Sequence, residues 1–208
     1  MAITSKTDIC NLALDLLSAG KVNDVDNPSD PTEELLNRWY DQCRRKVLRE
    51  HPWNFASKRA LIASSGTAPA FGYSKQFPVP NDFIRLLTLE GDTGQMLNPV
   101  SYEMESGAVL INTDATSLRM RYIYDIEDIT RFDPMFIDLL AHEIALVIAF
   151  KVTESNGNVQ RVAELQKMRA AMARAIDGQE RPPTRREVSK NRAARRYGRS
   201  TNADRIIF

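Results

Sequence analysis

The sequence predicts an α+β fold: a four-helix bundle with a mostly antiparallel β insertion between helices 2 and 3, followed by an extended C-terminal arm. Three observations lead there. Apolar residues recur with helical spacing in two segments near the start of the chain and in two more after residue 133. The stretch between them changes to short alternating runs rich in β-branched and aromatic residues, punctuated by Gly, Pro and Asn. Beyond Pro182-Pro183 the apolar pattern gives way to an Arg-rich stretch, so the predicted units are a core over 1–180 and an arm over 181–208.

The first helix is predicted over about 8–19, where Ile9, Leu12, Ala13, Leu16 and Leu17 share a face and Gly20 follows as a stop. The turn-forming run KVNDVDNPSD leads to Asp30-Pro31-Thr32-Glu33. There Asp can cap, Pro takes the first helical position and Glu completes a capping-box-like spacing, which predicts a second helix over about 31–51. Its stripe is Leu36, Trp39, Tyr40, Cys43 and Val47, and Pro52 disfavours helical geometry at His51. Within a β region over about 57–129, strands are predicted at 58–63, 74–77, 84–89, 97–102, 108–111 and 118–124. In the last, Leu118, Met120 and Tyr122 alternate with Arg119 and Arg121, as a half-buried strand requires.

Asp133-Pro134 repeats the cap-and-proline start and opens a third helix over about 134–153, with an apolar face wide enough to run through the core. Residues 155–158 are predicted as a turn. Val162, Leu165, Met168, Met172 and Ile176 then mark a fourth helix over about 159–177 that closes at Gly178. Two helices before the sheet and two after it can satisfy their apolar faces on one another, which predicts no large apolar stripe left outside. Trp39, Trp53 and Phe55 are assigned to that core.

A chain of 208 residues, 43% hydrophobic and 26% charged, is long enough to bury one core of ordinary size. Its longest apolar run, MFIDLLAHEIALVIAF, is interrupted by Asp138, His142 and Glu143, short of the roughly 18 uninterrupted residues a membrane span needs. The start of the chain lacks a secretion signal, which predicts a protein that stays in the cytoplasm where it is made. Cys10 and Cys43 lie in helical patterns and are predicted to be reduced and packed. The net charge of +1 is unevenly spread, because residues 181–208 hold nine Lys or Arg against Glu187 and Asp204.

Catalytic signatures are sparse. His142-Glu143 starts like a zinc-protease motif, but Leu146 stands where the second imidazole belongs, and no metal, cofactor or catalytic residue is predicted. Neither a phosphate-cradling glycine loop nor a serine elbow occurs. Asp125, Glu127 and Asp128 could supply an acid and a base for cell-wall cleavage, although a solvated turn after a strand accounts for them as well. The basic arm suits phosphate, yet Tyr197 is its one aromatic before the terminal Ile206-Ile207-Phe208, which has no use on nucleic acid. Thr184 and Glu187 have capping-box spacing, so 185–197 is predicted to form an Arg-rich helix when docked. An acidic, partly apolar protein surface would satisfy both the arginines and the apolar end.

Several segments taken together, CNLALDLLSAG, LREHPWNFASKRALIA, FPVPNDFIRLL, LRMRYIYDIEDITRFDPMFIDLLAHEIALVIA and DGQERPP, resemble the tail tubular protein A type of head-to-tail adaptor, or connector, of short-tailed bacteriophages. The resemblance covers most of the chain, and WNFA and FDPMF are its most specific parts. It implies a structural virion protein of the tail or neck, made in the host cytoplasm, that forms a dodecameric ring below the portal. Such a ring continues the DNA channel used in genome ejection and is the platform for the tail nozzle. The implied partners are the portal protein, the nozzle or tail tube protein, tail fibres, other copies of the chain and the double-stranded DNA passing through, without a membrane anchor. In similar adaptors a C-terminal arm reaches the portal. The matching positions here would use Arg185, Arg186, Arg192, Arg195 and Arg196 on portal carboxylates or DNA phosphate, and Ile206, Ile207 and Phe208 in an apolar pocket or as an added edge strand. The rival readings are a nucleic-acid-binding protein working through the same arm and a virion-associated muralytic enzyme.

Overall fold

Side chains next to the helix ends decide where the helices begin and stop. In a computed structural model, which describes residues 3–90 and 102–180, α1 (Lys6–Leu16) starts at Ser5. The Ser5 hydroxyl accepts from the Asp8 N–H while the Asp8 carboxylate accepts from the Ser5 N–H, a reciprocal capping box that begins the helix earlier than predicted. The helix also ends before Gly20. Ser18 takes the left-handed conformation, φ 56°, and the N–H groups of Ser18 and Ala19 return to the carbonyls of Asp15 and Leu14, so serine closes the helix where glycine was expected.

α2 (Pro31–Glu50) begins on Asp30, which accepts from the N–H groups of Thr32 and Glu33, and stops at an extended His51 ahead of Pro52. Glu33 does not complete the cap. Its carboxylate instead accepts from the N–H groups of Asn23, Asp24 and Ser29 and from the Ser29 hydroxyl, folding the preceding loop onto the helix. α3 (Pro134–Thr153) is capped by Asp133 at the Met135 N–H, as expected. It ends on a left-handed Glu154, and Ser155 immediately caps α4 (Asn156–Gln179). The connection is thus shorter than the predicted 155–158 turn, and α4 passes through Gly178 instead of closing there.

Six strands, β1 (Ser57–Ala63), β2 (Lys75–Pro78), β3 (Phe83–Glu90), β4 (Tyr102–Glu105), β5 (Ala108–Ile111) and β6 (Ser117–Tyr124), make two antiparallel three-stranded sheets. Their orders are β1-β6-β3 and β2-β5-β4. The strand predicted at 97–102 lies outside the described residues except for Tyr102, which opens β4. Ser106 and Gly107, both at positive φ, form the two-residue turn from β4 to β5. The two sheets face one another. Ile62, Leu89, Leu118, Met120 and Tyr122 of the first meet Phe77, Val109 and Ile111 of the second, so the predicted alternation in β6 is the physical basis of this small core.

The larger core belongs to the helices. α1, α2 and α4 each pack on α3, and Ile123 of β6 and Ile126 just beyond it join the same cluster. Trp53 is fully buried there, with Trp39 and Phe55 half-buried against it. Cys10 and Cys43 are free, buried thiols. Among the described residues the result is an α+β arrangement of four helices and two small antiparallel sheets.

α4 departs from expectation. Of Val162, Leu165, Met168, Met172 and Ile176, only Val162 is buried. The inward face is completed by Ala170, Ala173 and Asp177, while Met168, Met172 and Ile176 lie exposed. α3 supplies the bulk of the helical core with Phe136, Leu139, Leu140, Ile144 and Ile148. A partner helix packs closely against such a surface through its small residues, and that turns the alanines inward and the methionines out.

Candidate functional site

WNFA and FDPMF, the most distinctive segments of the sequence, meet at the seam between helices and sheets. The Trp53 ring lies 5.4 Å from Phe136 and 6.0 Å from Phe55, and Phe55 lies 5.0 Å from Phe136 and 6.0 Å from Phe132. Phe132 and Phe136 are edge-to-face at 5.0 Å. The indole N–H donates to the Val47 carbonyl at 2.9 Å, so the one polar atom of Trp53 is satisfied inside the core.

A polar junction joins α2 to the segment that follows β6. Arg44 is buried to 1% exposure; its guanidinium donates to Asp125 at 2.6 Å and to the Ile126 carbonyl, and pairs with Asp41 at 3.3 Å and Glu127 at 3.5 Å. Arg45 takes the other oxygen of Asp125 at 2.7 Å. Asp128 accepts from the hydroxyl and N–H of Thr130, which hold its carboxyl below the usual range and make it the cap of the 3-10 turn Ile129–Arg131. All three carboxylates considered as acid or base candidates therefore have structural partners. Nothing in the sequence marked Arg44 as buried, because it stands in the charged run Arg44-Arg45-Lys46.

His142 is buried, with Nδ1 2.8 Å from the Asp138 carbonyl. Glu143, equally buried, is held by Lys46 and by Gln166 at 3.0 Å. His51 also gains a partner that sequence reasoning missed. Its Nε2 lies 2.7 Å from Asp177, whose other oxygen accepts from the Asn54 N–H at 2.8 Å, tying the end of α2 to the end of α4. Burial pushes both the Cys10 and the Cys43 thiol up to about 12, which leaves neither as a ready nucleophile. Among the described residues no group of three His, Cys, Asp or Glu could hold a metal ion, and no helix is long and apolar enough to cross a membrane.

The surface offers more than the interior does. On the outer face of the first sheet Arg59 stands directly opposite Arg121, and Arg119 lies between Leu61 and Glu90. These residues line an open groove of about 540 Å³. Arg59 and Arg121 set like charges opposite one another across the strands, while Glu90 stands opposite Arg119. Leu61 is exposed beside them. The predicted arm residues Arg185, Arg186, Arg192, Arg195, Arg196, Ile206, Ile207 and Phe208 lie outside the described residues, which reach as far as Glu180 just beyond α4. In comparisons with known proteins, the chain matches no family model and no curated protein.

Proposed function

We propose that this protein is a head-to-tail adaptor of a short-tailed bacteriophage, a structural ring component and not an enzyme. In this reading the helices form a four-helix bundle that packs side by side into a ring below the portal. The arm over 181–208 clamps each subunit to the portal, and the β region meets the nozzle. The observation that carries the reading is the aromatic seam. WNFA and FDPMF, where the resemblance is most specific, are nearly 80 residues apart in sequence yet contribute Trp53, Phe55, Phe132 and Phe136 to a single cluster. Two motifs that serve one junction are constrained together, so their joint presence weighs more than either alone.

The test is portal capping by the full chain and by a chain ending at residue 180, followed by co-sedimentation and negative-stain imaging. The full chain is expected to cap portal rings. The truncated chain is expected to stay folded with nearly unchanged thermal stability and to lose attachment. Replacing Ile206, Ile207 and Phe208 by Ser is expected to weaken binding at every salt concentration, and replacing Arg192, Arg195 and Arg196 by Gln mainly at low salt. Full-length protein that fails to cap any portal, or truncated protein that caps as well, overturns the clamp.

A second reading is favoured by the basic sheet face. A nucleic-acid-binding protein could use Arg59, Arg119 and Arg121 together with the arm. It requires sequence-independent DNA affinity that falls steeply with salt.

A further inference from the structure

The sheet β2-β5-β4 has a second face that takes no part in the core between the sheets. Register places Gln76 and Glu103 on either side of Leu110, and Pro78 and Glu105 on either side of Ala108. Strand alternation points these residues away from Val109 and Ile111, which enter the core. An open groove of about 580 Å³ lies on this face. Phe71 and Tyr73, which lead into β2, line it from one edge strand, and Glu103 and Glu105 of β4 line it from the other. Gly72, at φ 84°, bends the chain between the two aromatic residues, and Phe71 is 88% exposed. Both glutamates are exposed. Among the described residues neither has an ion-pair partner, and no Lys, Arg or His lines the groove.

We infer that this groove is the resting seat of the chain's own C-terminal tip. Arg205 lies against Glu103 and Glu105, and the apolar end Ile206-Ile207-Phe208 crosses towards Phe71. Complementarity selects this occupant. Residues 181–208 carry nine Lys or Arg against two acidic residues and end on three large apolar ones, and the groove offers unpaired carboxylates beside exposed aromatic surface. Length allows the contact. The described residues reach Glu180, just beyond α4, whose end is tied by Asp177 to His51 and Asn54. Residues 181–208 can span up to about 90 Å when extended, against a diameter of roughly 40 Å for a compact domain of this size, so the tip reaches any face. The covalent link gives the tip an effective concentration on the order of millimolar, so a few contacts are enough to hold it and an outside cationic segment has to compete with it. Seated there the tip covers the outer face of a sheet and no core residue, so its removal leaves the melting temperature nearly unchanged. A surface that captures the arm must first draw the tip out of the groove.

The contact is tested on the full chain alone, without portal or DNA, so its failure leaves the proposed function standing. Mild oxidation of the double variant Phe71→Cys/Phe208→Cys should give an intramolecular disulfide at a rate independent of protein concentration. That rate should be about tenfold higher than for Met168→Cys/Phe208→Cys, whose helical cysteine is also exposed but lies away from the groove. Cys10 and Cys43 are buried and do not compete. Adding Glu103→Lys and Glu105→Lys should slow the Phe71–Phe208 link about tenfold, and Arg205→Glu in that background should restore much of the rate. Every described position replaced is exposed, so circular dichroism should be unchanged throughout. A link that forms no faster than the Met168 control, or that ignores both glutamate replacements, overturns the proposal. Disulfides that form only between chains, at a rate rising with concentration, overturn it as well, because the groove then takes the tip of another copy.

Discussion

α3 and α4 are neighbours of similar length, 20 and 24 residues, held in place by different means. α3 buries eleven of its side chains, among them Phe136, Leu140, Ile144 and Ile148. α4 buries four, of which two are alanines and one is Asp177. It is secured at intervals by polar clamps: Arg161 on the Leu16 carbonyl, Gln166 on Glu143, Arg174 on Glu50 and Asp177 on His51. A helix held in this way can keep its largest apolar side chains on the outside. The comparison teaches that an apolar stripe in a sequence does not by itself say which face of a helix meets the core.

The largest expected effect is on the α3 side of the comparison. Phe136→Ala removes the centre of the aromatic seam from a fully buried site and should cost about 3–5 kcal/mol, measured by urea unfolding. A loss under about 1 kcal/mol would break the claim that burial holds α3. Arg44→Ala comes next, at about 3 kcal/mol, because Asp125 is left with Arg45 alone while Ile126 loses its donor. For contrast, Arg174→Ala removes a largely solvated clamp to Glu50 and should cost no more than about 1 kcal/mol. If the two arginine variants lose equal stability, buried and exposed clamps are not distinct in the way the comparison requires.

A smaller effect is expected from pH at the start of α2. The backbone N–H of Ser29, then those of Asp24 and Asn23, together with the Ser29 hydroxyl, hold Glu33 at about 2, against 4.5 in an unfolded chain. Because the folded value is the lower one, the ionised carboxylate contributes its full stabilisation above about 4.5. That contribution is lost as pH falls towards 2. The melting-temperature gap between wild type and Glu33→Gln should therefore be widest above pH 5 and should close between pH 4.5 and 2. A gap unchanged across that window would mean that the loop does not depend on the charge. The smallest effect is expected on the outer side of α4, where Met168→Ser should change stability by no more than about 0.5 kcal/mol, given 70% exposure.

The sequence by itself determined the fold class, the order of elements and the sites where local chemistry is sufficient. Asp30-Pro31 and Asp133-Pro134 start helices because a carboxylate and a pre-set φ act within three residues, and Leu118, Met120 and Tyr122 face inward because a strand alternates whatever lies beneath it. Tertiary structure decided the rest. Ser18 could replace Gly20 as the helix stop because the returning N–H groups compensate an unfavourable φ. Arg44 became a buried hub only when β6 delivered Asp125 and the Ile126 carbonyl from more than 80 residues away. The α4 stripe lies outward while Ala170 and Ala173 face the core, because helical periodicity specifies the angle between two faces without specifying which of them meets the core.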